Sequence, residues 1–251
     1  MLAKLKLELE YKEELSYQMA SLFHGALMEL LPMEYADYLH KSGLHPFTQY
    51  LEMKERKWYW IVTCLNEDAV KKIIHNVLMQ IDSIEIKKKK FVITIVQKQY
   101  QELNEEELMN CFYEGQGKRY IQIQFLTPTA FKKQGKYCFY PDLKCIYQSL
   151  MNKYDCASNE DMMCDEDTLE QLNENSQVIR YDLKSTYFHL EGVRIPSFIG
   201  KITIKLTGTQ TMANFAKLLF EFGEYSGIGI KTALGMGAIK ILDEGRGKID
   251  K

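Results

Sequence analysis

The chain has 251 residues, 46% hydrophobic and 26% charged, with a formal net charge of −2. That is enough for one large domain or two of ordinary size, in the composition of a soluble globular protein. No apolar run approaches the ~20 residues of a membrane helix, and Lys4, Lys6, Glu8 and Glu10 interrupt the first segment, so neither a membrane nor a secreted protein is expected. That first segment alternates strictly, with Leu5, Leu7, Leu9 and Tyr11 on one face and the charged residues on the other, which predicts a half-buried strand with one wet face. A helix follows over Glu13–Leu31, its inner stripe Leu22, Phe23, Ala26, Leu27 and Leu30, and Pro32 ends it. Phe47–Met53 reads as extended and Trp58–Cys64 as a strong strand, with Trp58 and Trp60 on one face as core or, less favoured, as a stacking platform. Asn66 caps a second helix with Val70, Ile73, Ile74, Val77, Leu78 and Ile81 at three-and-four spacing, and Phe91–Val96 is the next strand. The order β-α-β-β-α-β is that of a ferredoxin-like unit.

The second half repeats the plan in pattern, not in residue identity. Tyr120–Phe125 alternates as a strand, and Leu143–Tyr154 is helical with Cys145, Ile146, Leu150 and Met151 inside. Val178–Leu190 and Lys201–Leu206 are strand-like, Thr211–Phe222 is a helix striped with Met212, Phe215, Leu218, Leu219 and Phe222, and Ala238–Leu242 is a last strand. The expectation is an α+β chain of two tandem ferredoxin-like domains, 1–115 and 116–251, dividing within Asn104–Lys118.

Between the last helix and the last strand, residues 223–237 hold five glycines and one lysine, Lys231. Glycine reaches φ > 0 and carries no Cβ, so successive amides can turn toward an anion. Gly227, Gly229, Gly235 and Gly237 are therefore candidates to lie against a phosphate backbone, with Lys231 supplying charge and Tyr225 a stacking face. The stretch is not a P-loop, since Ile228 stands where G-x-x-x-x-G-K-[ST] needs glycine. Thr232 likewise breaks the dinucleotide pattern G-x-G-x-x-G, so an ATPase or dehydrogenase is disfavoured. Charge is segregated: Asp155–Glu174 holds eight acidic residues and no Lys or Arg, whereas the rest of the chain from Lys118 onward has 18 basic against 8 acidic residues. That excess permits a local positive face for an anionic ligand. The acidic stretch reads as a solvated loop and helix. The run Lys87–Lys90 is either a solvated turn or a polyanion contact.

His40 and His45 sit together in the link after the first helix, with Lys41 beside them. Loops on a rigid scaffold concentrate catalytic groups, and imidazole moves protons near neutral pH. RNA carries its own nucleophile in the 2′-OH, so a His base or acid, a Lys or Arg for the phosphate oxygens and a backbone clamp can cleave it without metal. His40 is the first catalytic candidate, with Lys41 and His45 as helpers. For His24, in the first helix, packing or capping and proximity to the site are open alike; His75 and His189 read as structural. Cysteines 64, 111, 138, 145, 156 and 164 include no C-x-x-C pair and no His at ligand spacing, so reduced thiols of a cytoplasmic protein are expected, and no metal or cofactor.

Four segments together resemble the Cas6 group of CRISPR-associated endoribonucleases, over nearly the whole chain. Phe23–Leu31 is similar to that family's first helix, Tyr38-Leu-His40-Lys41 to its active-site segment and Phe125–Gly135 to the start of its second domain. Phe222–Gly237 resembles its signature glycine-rich loop and is the most specific of the four. The combination points to the branch serving type III systems. The resemblance implies metal-independent cutting of repeat RNA in a precursor transcript, leaving a 5′-hydroxyl and a 2′,3′-cyclic phosphate. The active-site histidine carries over onto His40. Met28 stands at the place of a tyrosine that some members use, and His45 roughly at that of a lysine. Lys132, Lys133 and Lys136 fall where this branch could touch the RNA backbone. The implied partner is CRISPR repeat RNA, with transient attachment to a type III effector complex, as a monomer or homodimer. The other reading is a non-catalytic RNA-binding subunit on the same folds.

Overall fold

The computed structural model of the chain describes residues 1–11, 15–113, 117–158 and 165–242. The expected helix start at Glu13, the middle of the acidic stretch and Cys164 lie outside them. Two antiparallel sheets carry the fold, each with its helices on one face. The first has the strands β1 (Leu2–Glu10), β2 (Phe47–Lys54), β3 (Lys57–Cys64), β4 (Ser83–Ile86) and β5 (Phe91–Leu103) in the order β2-β3-β1-β5-β4. Without the edge strand β4, which the sequence pattern does not announce, this is the ferredoxin-like order with the first strand central. Leu5 and Leu7 of β1 are fully buried among Phe23, Leu27, Trp60, Val62 and Ile73.

The helices of this unit are α1 (Ala20–Leu30), α2 (Met33–Lys41) and α3 (Glu67–Ala69), which runs on as a π-helix, Val70–Leu78. Asn66 caps α3 through its side-chain oxygen, which accepts from the Ala69 amide at 2.9 Å, and the apolar residues expected at positions 70–78 are all buried. The wet face predicted for β1 is only half exposed. Lys6 lies over the Tyr59 ring at 3.8 Å, Glu8 accepts from Lys57 at 2.6 Å, and Lys4 sits over Tyr225 of the second unit at 4.4 Å.

The second sheet contains β6 (Tyr120–Thr129), β9 (Ser176–Leu190), β10 (Val193–Leu206) and β11 (Ile239–Leu242) in the order β11-β6-β10-β9, again with the first strand of the unit inside. On it pack α5 (Leu143–Ala157) and α7 (Gln210–Ser226), which bring Ile146, Tyr147, Leu150, Leu219 and Phe222 into one core. A short hairpin, β7 (Phe131–Lys133) and β8 (Lys136–Cys138), projects after β6, and α6 (Glu166–Glu174) holds the end of the acidic stretch. The helix α4 (Glu105–Tyr113) falls in the expected boundary region, and its Leu108 belongs to the second core. No described helix is long and apolar enough to cross a membrane.

The two units are joined through β2. Gln49, buried on that strand, donates to the Ala20 carbonyl at 2.9 Å and to the Ala233 carbonyl at 3.0 Å, while its own oxygen accepts from the Trp60 indole at 2.8 Å. Thr48 and Thr63 both donate to the carbonyl of Tyr225. Ala233, from the glycine-rich segment, is thereby part of the first unit's core. Trp60 is fully buried against Phe23, which makes it core and not a stacking platform.

Candidate functional site

His40 is helical. Pro32 ends α1 but immediately precedes α2, where its missing N–H costs nothing, and Tyr35, Ala36 and Leu39 turn one face inward. His40 and Lys41 therefore occupy an exposed last turn. The loop expected over residues 38–47 shrinks to the few residues between Lys41 and Phe47, and His45 lies there, half-buried.

The structure adds His24 to this group. Its ring stacks on Phe47 at 6.0 Å and lies 6.2 Å from His45, whose ring meets Phe47 edge-on at 5.7 Å. His24 Nε2 and His45 Nδ1 are buried without a hydrogen-bond partner among the described residues. Burial, and secondarily the neighbouring His45 and His40, depress His24 to about 4; burial and His40 also lower His45. Both imidazoles are thus held neutral at physiological pH, beside the exposed His40. In the sequence, the signal for His24 is its place one residue after the buried Phe23, with the strand it faces still unplaced.

The glycine-rich segment is folded differently from the expectation of a flat anion cradle. The amides of Ile228, Ile230 and Gly237 donate to the carbonyls of Gly237, Ala130 and Pro128, and that of Gly229 donates to Ser149 Oγ at 2.8 Å. Gly227, Gly235 and Gly237 are buried. A Cβ at Gly229 would strike the Ala130 carbonyl, and one at Gly235 would overlap the Ala20 methyl, both at positive φ. These glycines permit close packing of β6, α1 and the segment. They do not bare amides to a ligand. Tyr225 is half-buried, with Lys4 over one face of its ring. Lys231 is exposed at φ 57°.

Lys153, which sequence reasoning missed, props this segment from below. Its ammonium donates to the carbonyls of Ser226 at 3.2 Å and Gly227 at 3.0 Å and to Thr232 Oγ1 at 3.4 Å, and burial lowers it to about 7. It sits among the apolar positions of α5, where a lysine is the one visible anomaly. Lys132, Lys133 and Lys136 are all exposed on the β7–β8 hairpin, which turns through Gln134 and Gly135, both at positive φ.

A cleft of about 460 Å³ connects these parts: Leu44, next to His45, lines it together with Lys132, Lys133, Lys153 and Gly229. Leu44 is the residue of the His40–His45 segment that reaches this lysine-bearing cleft, and none of the three histidines lines it. The cysteines are less scattered than expected. On the rim of the cleft, ligand atoms of Cys138, Asp142 and Cys145 all lie within 4.8 Å of one another.

Residues 123–239 match the family model described as CRISPR-associated endoribonuclease Cas6. A CRISPR-associated endoribonuclease Cas6 from Streptococcus thermophilus is 38% identical over 219 residues, covering 87% of this chain and 89% of that protein. One from Mycobacterium tuberculosis is 29% identical over 220 residues, covering 87% and 70%. Among solved structures, a Cas6 product complex superposes with a TM-score of 0.81 at 23% identity, covering 96% of this chain and 99% of that one. Thermus thermophilus Cas6 gives 0.71 at 21%, covering 96% and 98%. The tandem ferredoxin-like fold is common to these structures. With a relative this similar over most of both sequences, the chain belongs to the CRISPR-associated endoribonuclease Cas6 family.

Proposed function

We propose that this protein is an endoribonuclease that cuts CRISPR repeat RNA within a precursor transcript by 2′-OH attack, without metal, leaving a 5′-hydroxyl and a 2′,3′-cyclic phosphate. The observation that carries this reading is the cleft lined by Leu44, which stands between His40 and His45 in the chain, by Lys132 and Lys133 of the hairpin and by Gly229. His40 is the exposed imidazole and the catalytic residue of the proposal. His45 and Lys41 flank it as helpers, and His24, neutral and with its Nε2 lacking a partner among the described residues, packs beside His45. Lys132, Lys133 and Lys136 track the backbone, with Lys231 contributing charge. Gly227, Gly229, Gly235 and Gly237 serve RNA binding indirectly, by shaping the wall against which the strand lies.

The relatives reinforce the choice of substrate, since structural neighbours include Cas6 as a product complex and as a substrate mimic complex. Service to a type III effector system, the state of monomer or homodimer, a cytoplasmic location and the division into units 1–115 and 116–251 are parts of the same proposal, resting on the resemblance and the charge and core patterns.

The test is incubation with the repeat RNA of the neighbouring CRISPR array in EDTA. The proposal expects two fragments, the upstream one ending in a cyclic phosphate. It also expects no cutting, with binding retained, when the 2′-OH at the scissile position is replaced by hydrogen. Tight binding with no cleavage of the all-ribose RNA would instead establish the non-catalytic subunit.

A further inference from the structure

We propose that Cys138, Asp142 and Cys145 form a binding site for a thiophilic divalent cation of the zinc class, fastening the lysine hairpin to the first turn of α5. Cys138 ends β8, Asp142 caps α5 and Cys145 lies in its first turn, so one short run of chain brings three ligands to one point. Their ligand atoms all lie within 4.8 Å of each other. In a tetrahedral zinc site with thiolate and carboxylate ligands such atoms are roughly 3.3–3.8 Å apart, so closure asks about 1 Å of side-chain movement.

The chemistry of the set selects the ion. Two sulfurs and one carboxylate disfavour magnesium and calcium, which take oxygen, and three protein ligands leave a fourth position for water. Asp142 is already oriented, because its Oδ1 accepts the Cys145 amide at 3.0 Å. Its Oδ2 meets Lys133 at 3.8 Å with that lysine side chain 60% exposed, a loose pairing that a bound cation would displace. Lys144, also on the rim, is neutralised by Glu170 at 2.6 Å and Glu166 at 3.2 Å. Cys145 lines the cleft, which gives an ion its path in. Cys138 is buried and Cys145 half-buried, so water competes poorly for both sulfurs. Binding replaces the two thiol protons by one ion and needs no oxidant.

The experiment uses the full chain, purified under reductant, loaded with zinc and dialysed against metal-free buffer. About one zinc per chain is expected to remain. Cobalt(II) in its place is expected to show a thiolate-to-cobalt charge-transfer band. In Cys138→Ser/Cys145→Ser both the retained metal and the band are expected to be lost, and Cys156→Ser is expected to keep them. On the unaltered protein, zinc is expected to shield Cys138 and Cys145, and not Cys156, from alkylation, a readout that requires no variant to fold. Absence of retained zinc, equal retention in the double variant, or a Cys138–Cys145 disulfide in protein that takes up no metal would each overturn the proposal. None of these readouts depends on RNA cleavage.

Discussion

At the scale of single residues, folding holds two imidazoles near His40, those of His24 and His45, neutral. His24 is depressed to about 4 because burial penalises its cation. In the unfolded chain it titrates near 6.5, so between those values the unfolded state binds the extra proton. The resulting stability is full above about pH 6.5 and is lost as pH falls toward 4. The loss attributable to His24 is at most about 3 kcal/mol. Urea unfolding near pH 7 and about pH 4.5 should show a clearly smaller drop for His24→Gln than for the parent. Equal drops would place the acid sensitivity elsewhere. Lys153 follows the same sign in a higher window: burial lowers its ammonium to about 7, so its contribution grows as pH rises from 7 toward 10.5. Replacing it by Met strands the carbonyls of Ser226 and Gly227, and a cost of about 1–3 kcal/mol in unfolding measurements is expected.

Between elements, β2 is the strand that makes one site out of two units. Gln49 satisfies α1, the Ala233 turn and Trp60 at once, and no other residue type offers two donors and an acceptor in that shape. Gln49→Ala should cost about 2–4 kcal/mol and slow cleavage, because three buried groups lose their partners. A stability within error of the parent would show that water or rearrangement replaces it. The hairpin β7–β8 makes a separable contribution. Changing Lys132, Lys133 and Lys136 together to Ala should weaken RNA binding at low salt and reduce the salt slope by up to about 3, roughly one for each phosphate that a lysine no longer neutralises. An unchanged slope would take these lysines off the RNA path.

For the whole molecule, the periodicities are sufficient to predict the tandem fold. The alternation of β1, the stripe of residues 70–78 and the spacing of α7 are local, and each leads to an observed element. The elements that escape the sequence have weak or competing local signals. Pro32 reads as a stop, yet α2 starts from it, because Pro is tolerated where a helix begins. The β7–β8 hairpin hides in a Lys-Gln-Gly-Lys run that carries charge and turn at once. The site is harder to read than the fold, for a physical reason. The glycines announce an unusual backbone, and the sequence does not say whether that backbone faces RNA or the protein. Packing against Ala130 and Ala20 decides it. Contacts between distant segments, such as His24 with His45, Gln49 with Ala233 and Lys153 with Ser226, exist only once both sheets are assembled.

The central claim is that the imidazole of His40 performs proton transfer on RNA bound along the cleft that Leu44 and the hairpin lysines line. Single-turnover cleavage of repeat RNA by the parent and by His40→Ala, in EDTA with RNA affinity measured in parallel, tests it most directly. The account predicts a rate lower by about 10²–10⁴-fold with affinity nearly unchanged. Cleavage of the same bond by His40→Ala at the parent's rate would contradict it.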